Sequence, residues 1–291
     1  MASELVRELI EAGVHFGHRT SRWNPKMQPF IFGKRNLIYI IDIRETVRGL
    51  LLAKKFLSAV VSRGQDVLFV GTKRPARDAI KAQAQRCGMP YVCERWLGGT
   101  LTNFRTIRSR LSRLEELESL ESTGKIHEYS KKMISTLQRQ RRRIFRNLEG
   151  IRKMTRLPGA LFLVDVSHEH IAVKEARKLG IPTVCLVDTD GDPNLVDVVV
   201  PGNDDAMRAI SVVARHVADA IEEGKRSRPA DWKPPPEAGP EAAEGGERGE
   251  RGGRRRRGRG DRGDRGGRGE RGEREGRAAR GGPPTATETE P

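Results

Sequence analysis

Two histidine pairs, His15-x-x-His18 and His168-x-His170, have the side chains and spacing of metal ligands. Neutral imidazole nitrogens bind zinc or another divalent cation, provided the fold brings the pairs together. No cysteine pair supports them, so local hydrogen bonding, or bonding to RNA, is the favoured reading. Asp188, Asp190, Asp192, Asp204 and Asp205 fall after predicted strands, where α/β proteins bind ligands and carboxylates can hold a cation. Turn and capping roles explain most of them more simply. Gly71-Thr72-Lys73-Arg74 ends a strand and opens a helix, a place suited to phosphate. It lacks the spacing of a nucleotide-binding loop, which favours an RNA backbone phosphate, with a plain turn as the alternative. Gly258, Gly260 and Gly263 match a dinucleotide fingerprint, but no strand precedes them and the match is chance. Ser167-His168-Glu169 is contiguous; neighbours in a chain do not make a triad, and Ser167 reads as a helix cap. No nucleophile-and-base set emerges. The chain is therefore read as a non-enzyme, with no small-molecule substrate expected.

The strongest local signal is Arg95-Trp96-Leu97-Gly98-Gly99-Thr100-Leu101-Thr102-Asn103-Phe104-Arg105. Glycines allow close backbone approach, and arginines beside aromatics suit phosphate contact and base stacking. A tight junction with Trp96 packed inside is compatible with that role. Charge points the same way. The net charge of +16 on 291 residues favours a polyanionic partner. Its location is less obvious: residues 241–291, rich in arginine, sum to only about +3, because acids interrupt them. Residues 1–160 carry about +18 and residues 161–240 about −5. The candidate RNA-contacting cations are Arg22, Lys26, Lys34 and Arg35 in the first irregular stretch, then Lys73 and Arg74. Arg95, Arg105 and Arg108 follow, and Arg139, Arg141, Arg142 and Arg143 complete the set.

The elements that must position these groups follow from hydrophobic period. A helix begins after Ser3 and ends at Gly13. His15–Arg35 is irregular. Leu37–Ile41 reads as a buried strand, and Asp42 caps a helix, with Glu45 completing a capping box. Val67–Val70, Tyr91–Cys93, Leu161–Val164 and Thr183–Val187 are strands. Helices over 74–86, 169–179 and 206–222 alternate with them, the last capped by Asn203 or Asp204. Strands apolar on both faces, alternating with helices, predict a Rossmann-like parallel sheet covered on both sides. Two amphipathic helices interrupt the rhythm, Phe104–Leu120 and His127–Leu148. Their apolar stripes predict an antiparallel hairpin with Arg139, Arg141, Arg142, Arg143 and Arg146 outside. The expected organisation is 1–103 and 151–226 as two parts of one α/β core, 104–150 as the inserted hairpin, and 227–291 as a disordered Pro/Arg/Gly/Glu-rich tail. Cys87, Cys93 and Cys185 read as reduced core thiols of a cytosolic protein. No apolar run is long enough to cross a membrane.

Gly13-Val14-His15-Phe16-Gly17-His18, Asn24-Pro25-Lys26-Met27, Phe69 to Arg74, and Arg95-Trp96-Leu97-Gly98-Gly99 to Asn103 resemble the bacterial small-subunit ribosomal protein S two family. So do Asp165 with His168-Glu169-His170-Ile171-Ala172, Gly180-Ile181-Pro182, Val187-Asp188-Thr189 and Pro201 to Ala206. The resemblance runs in order from about residue 3 to 224. It implies a flavodoxin-like α/β/α core with a protruding helical hairpin (a coiled coil). It implies a cytoplasmic, ribosome-bound protein that binds small-subunit rRNA at the head–body junction and meets other small-subunit proteins. It further implies a part in recruiting the large mRNA-binding first protein of the subunit. No cofactor is required, and zinc or another divalent cation is the candidate at His15, His18, His168 and His170, since some members of the family bind zinc. Asp190 replaces the family's usual Asn, the second hairpin helix is unusually arginine-rich, and the tail has no counterpart.

Overall fold

The computed structural model describes residues 2–228; all but the first two residues of the expected tail, 227–291, lie outside them. In chain order the elements are α1 (Ala2–Glu11), β1 (Phe16–Arg19), β2 (Ile31–Arg35), β3 (Ile38–Ile41), α2 (Ile43–Ser62), β4 (Val67–Val70), α3 (Arg77–Arg86) and β5 (Tyr91–Val92). There follow α4 (Phe104–Ser122), α5 (Lys131–Leu148), β6 (Ala160–Val164), α6 (His170–Lys178), β7 (Thr183–Val187), β8 (Val198–Pro201) and α7 (Met207–Arg226).

Five strands form a parallel sheet in the order β5-β4-β6-β7-β8. Numbered among themselves they run 2-1-3-4-5, the flavodoxin-like order. β4, β6 and β7 are buried at every position, because alternate side chains feed two cores. Val67, Phe69, Phe162 and Leu186 join Leu50 and Leu57 of α2, Ile80 of α3 and Val213 and Val217 of α7. Leu68, Val70, Leu161, Leu163 and Cys185 join Ala172 and Ala176 of α6 and the stripes of α4 and α5. Phe69 meets Phe162 edge-on, with centroids 5.5 Å apart, a pairing worth about 1 kcal/mol beyond its buried area.

The first strand expected in this sheet is not there. β3 belongs to a separate antiparallel sheet, β1-β3-β2, built from the stretch expected to be irregular. Leu37 is 74% exposed rather than buried, because Asn36 and Leu37 turn the hairpin with φ of 51° and 62°. β8 is a strand that the apolar pattern alone does not announce. Asp42 caps α2 as expected, accepting from the Arg44 amide. Glu45 does not close the capping box; it pairs with Arg48 at 2.8 Å. α1 starts at Ala2, before the expected cap. Asp165, not Ser167, organises the start of α6: its Oδ1 accepts from the amides of Ser167 and His168. Asn203 Oδ1 likewise accepts from the amides of Asp205 and Ala206 ahead of α7.

α4 and α5 run antiparallel. Arg108 Nη1 donates to the Met154 carbonyl at 3.2 Å, and Arg141 pairs with Glu121 at 2.6 Å. Ile107, Leu111, Leu114 and Leu117 are buried against Leu137, Ile144 and Leu148. Met133, expected on that stripe, is 45% exposed. A short 3-10 turn, Lys125–Glu128, replaces the first turn expected of the second helix. All three cysteines are free and buried, and burial pushes the thiols up, to about 11 for Cys87 and about 12 for Cys93. No helix of the described residues is long and apolar enough to cross a membrane.

Candidate nucleic-acid interface

A flavodoxin-like sheet offers its ligand crevice at the carboxyl ends of its strands, where the order reverses. Here that place lies between the loops after β4 and β6, and the chain's own side chains occupy it. Thr72 donates from its amide and its hydroxyl to Glu169 Oε1, at 2.7 and 2.6 Å. Lys73 Nζ reaches Asp204 and Asp205 at 2.6 Å each and Asp165 at 3.1 Å. Burial alone would lower the Lys73 pKa, but these carboxylates hold it above its ordinary value. The lysine expected to meet phosphate thus braces three loops.

His18 shares Asp205 with Lys73. Its Nδ1 is 3.1 Å from Asp188 Oδ2 and its Nε2 3.2 Å from Asp205 Oδ2. The neighbouring Asp188 carboxylate raises its pKa to about 9, against the effect of burial. Asp204 is 1% exposed; burial, then the nearby Asp165 and Asp188, push its carboxyl up, with Lys73 pulling it down. Donor atoms of His18, Asp188 and Asp204 lie within 4.8 Å of one another. The other expected metal ligands are elsewhere. His168 Nδ1 is 3.1 Å from Thr72 Oγ1, and His170 Nδ1 is 3.2 Å from the Ser167 carbonyl. The His15 ring lies tilted against Phe16, with centroids 4.2 Å apart. Among the described residues the two histidine pairs are not brought together; donor atoms of His18, Asp188 and Asp204 are.

The Trp96–Thr102 loop is built by a residue that the sequence did not single out. Glu175 of α6 accepts from Trp96 Nε1, the amides of Gly99, Leu101 and Thr102, and the Thr102 hydroxyl, at 2.7–3.2 Å. Burial would raise its pKa, but the amide donors of Thr102, Gly99 and Leu101, with the Trp96 indole, bring it below the ordinary value. Gly99 adopts a φ of +88° to complete the turn. Trp96 is buried as its packing role required, so its ring is not free for a base. Arg95, just before the loop, and Arg105, in the first turn of α4, are exposed.

Arg22, Lys34, Arg35, Arg74, Arg108, Arg139, Arg142 and Arg143 are exposed as well. Among the described residues only Lys26, Lys73 and Arg141 of the expected RNA-contacting set have a carboxylate partner, Lys26 at 2.6 Å from Asp192. Arg141 is half-buried, so the outer face of α5 is carried by Arg139, Arg142, Arg143 and Arg146.

A three-layer α/β protein whose ligand crevice is closed by its own ions, and whose cations point outward, is a scaffold for binding rather than a catalyst. The comparisons agree. The profile of a family described as Ribosomal protein S2 matches residues 9–224. The chain is similar to the small ribosomal subunit protein uS2 of Rhodopirellula baltica, 58% identical over 84% of this chain and 94% of that one. It is also similar to those of Syntrophobacter fumaroxidans, 54% identical over 78% and 82%, and Geotalea uraniireducens, 49% identical over 78% and 89%. The chain belongs to the ribosomal protein S2 family, whose members are structural, non-enzymatic proteins of the small ribosomal subunit.

Proposed function

We propose that this chain, ribosome-bound in the cytoplasm, binds small-subunit rRNA through the exposed cations of residues 1–160. The carrying observation is that ten of the thirteen expected RNA-binding residues have no carboxylate partner among the described residues. A surface that neutralised its own charge would show the reverse. Phosphate neutralisation releases counterions, so affinity falls with salt in proportion to the number of phosphates neutralised. We read α4 and α5 as an arm, a short coiled coil that carries Arg139, Arg142 and Arg143 to RNA beyond the reach of the core. Contact with neighbouring small-subunit proteins, and help in recruiting the large mRNA-binding first protein, rest on family membership. Replacing Arg139, Arg142 and Arg143 by Gln is expected to weaken binding to transcribed small-subunit rRNA and to reduce the salt slope by about three units, one for each arginine replaced. An unchanged slope would remove the arm from the interface.

The acid cluster favours a second component of the reading, a structural divalent cation. Among the described residues the cationic partners of Asp165, Asp188, Asp190, Asp204 and Asp205 are His18 and Lys73. Buried His18 Nδ1 and Asp190 Oδ1 also lack a properly angled hydrogen bond. Mixed nitrogen and carboxylate donors suit zinc, with His18, Asp188 and Asp204 as the ligands. The ion would supply the positive charge that these loops lack. Adding zinc alone to chelator-treated protein is expected to raise the melting temperature. The gain should shrink at lower pH, because binding requires neutral His18. An equal gain in His18→Asn would refute these ligands.

A further inference from the structure

Phe32 and Leu37 are the most exposed large apolar side chains among the described residues, 79% and 74% exposed, and both belong to the β2–β3 hairpin. Water around two such groups is unfavourable, yet the backbone is bent to hold them out. The register slips between Ile31 and Gly33 against β3. Phe32 is therefore the extra residue of a β-bulge, a distortion that re-aims a side chain. Leu37 sits at φ 62°, a conformation that a bulky residue adopts only at a cost. Such outliers collect where a surface has work to do.

The segment that carries them has charge of one sign. No acid occurs anywhere in residues 12–41. Lys34 and Arg35 are exposed, with no carboxylate within 4.0 Å among the described residues. Arg19 of β1 and Arg35 of β2 both register with Ile38 from opposite sides. They therefore share a face, two strand spacings or about 10 Å apart. Lys34 registers with Tyr39 and so lies on the other face. Exposed cations on both faces beside an exposed aromatic ring suit RNA, where phosphates flank each base.

We propose that the β2–β3 hairpin is a stacking finger for looped small-subunit rRNA. Phe32 stacks on an unpaired base, Arg19, Lys34 and Arg35 hold flanking phosphates, and Leu37 packs beside the sugar. The proposal rests on the rRNA reading above and adds to it a contact mode and an RNA class, unpaired rather than duplex.

The test measures binding of the full chain to transcribed small-subunit rRNA across a salt series. Phe32→Ala and Phe32→Leu are expected to weaken binding roughly 5- to 150-fold with the salt slope kept. Phe32→Trp should restore affinity and show indole quenching as RNA is added. Arg35→Gln should instead lower the slope by about one unit. Melting temperatures check that each variant folds. If wild type binds with a salt slope and Phe32→Ala and Phe32→Leu match it within about twofold, the finger is overturned and the rRNA reading stands. Full affinity in Phe32→Leu with loss in Phe32→Ala overturns stacking in favour of plain apolar docking. A wild type that shows no salt-dependent binding sinks the rRNA reading, and the finger with it.

Discussion

Glu175 shows how one side chain holds a loop whose own sequence looked like the functional signal. Its two oxygens take five donors from the 96–102 segment. Glu175→Gln keeps the shape, removes the charge and turns an NH2 toward amides that need an acceptor. It is expected to cost about 3 kcal/mol, measured by denaturant unfolding. A loss under about 0.5 kcal/mol would show that the carboxylate charge is dispensable. Because its folded pKa lies below the ordinary 4.5, its contribution is complete above about pH 4.5 and is lost as pH falls through the folded value. The wild type should therefore show an acid-side loss of stability that Glu175→Gln lacks. Little of this was legible in the sequence. Asp42 announces its cap because the first turn of a helix has free amides, a local rule. Glu175 bonds partners 73 to 79 residues away, and only the assembled fold joins them. The ion pairs of Lys73 were illegible for the same reason, since Asp204 is 131 residues distant.

Elements were easier to read than their partners. The bounded apolar run of Val67–Val70 and the stripes of α4 carry their structure locally. An apolar run such as Ile38–Ile41 does not say which sheet it joins. The Val198–Pro201 strand is short and ends in proline, so its pattern is weak. Its place at the sheet edge explains a helix glycine. A Cβ on Gly49 of α2 would overlap the Val199 carbonyl and stand 3.2 Å from Val200 Cα and Pro201 Cδ. Alanine there improves helix propensity by about 1 kcal/mol, yet Gly49→Ala is expected to destabilise by about 1–3 kcal/mol, because α2 must retreat from β8. A raised melting temperature would overturn this packing argument. In α4, Leu114 is fully buried, and Leu114→Ala should cost about 2–5 kcal/mol. Separation of α4 from α5 while the parallel sheet stays protected, followed by hydrogen exchange, would show that this helix pair melts on its own.

For the whole molecule, the uneven charge sets two opposed responses to salt. The free chain carries about +18 on residues 1–160, and screening relieves that self-repulsion. Raising sodium chloride from about 50 to about 500 mM is expected to raise the melting temperature while it weakens rRNA binding. Both quantities falling together would mean that ion pairs, not repulsion, dominate the free protein. The core's two-sided burial was legible from composition and pattern, whereas the tethering of the N-terminal strands was not. His18 donates its amide to Thr189, the Asn24 amide reaches the Thr189 carbonyl, and Asn203 donates to the Val14 carbonyl. These bonds close loops of up to 189 residues, and closing loops that long is slow relative to local pairing. During synthesis the first strands leave the ribosome long before residues 189 and 203 exist. The earliest part of the chain to be made is thus among the last to dock, and the basic, apolar-tipped hairpin spends the interval without its anchor.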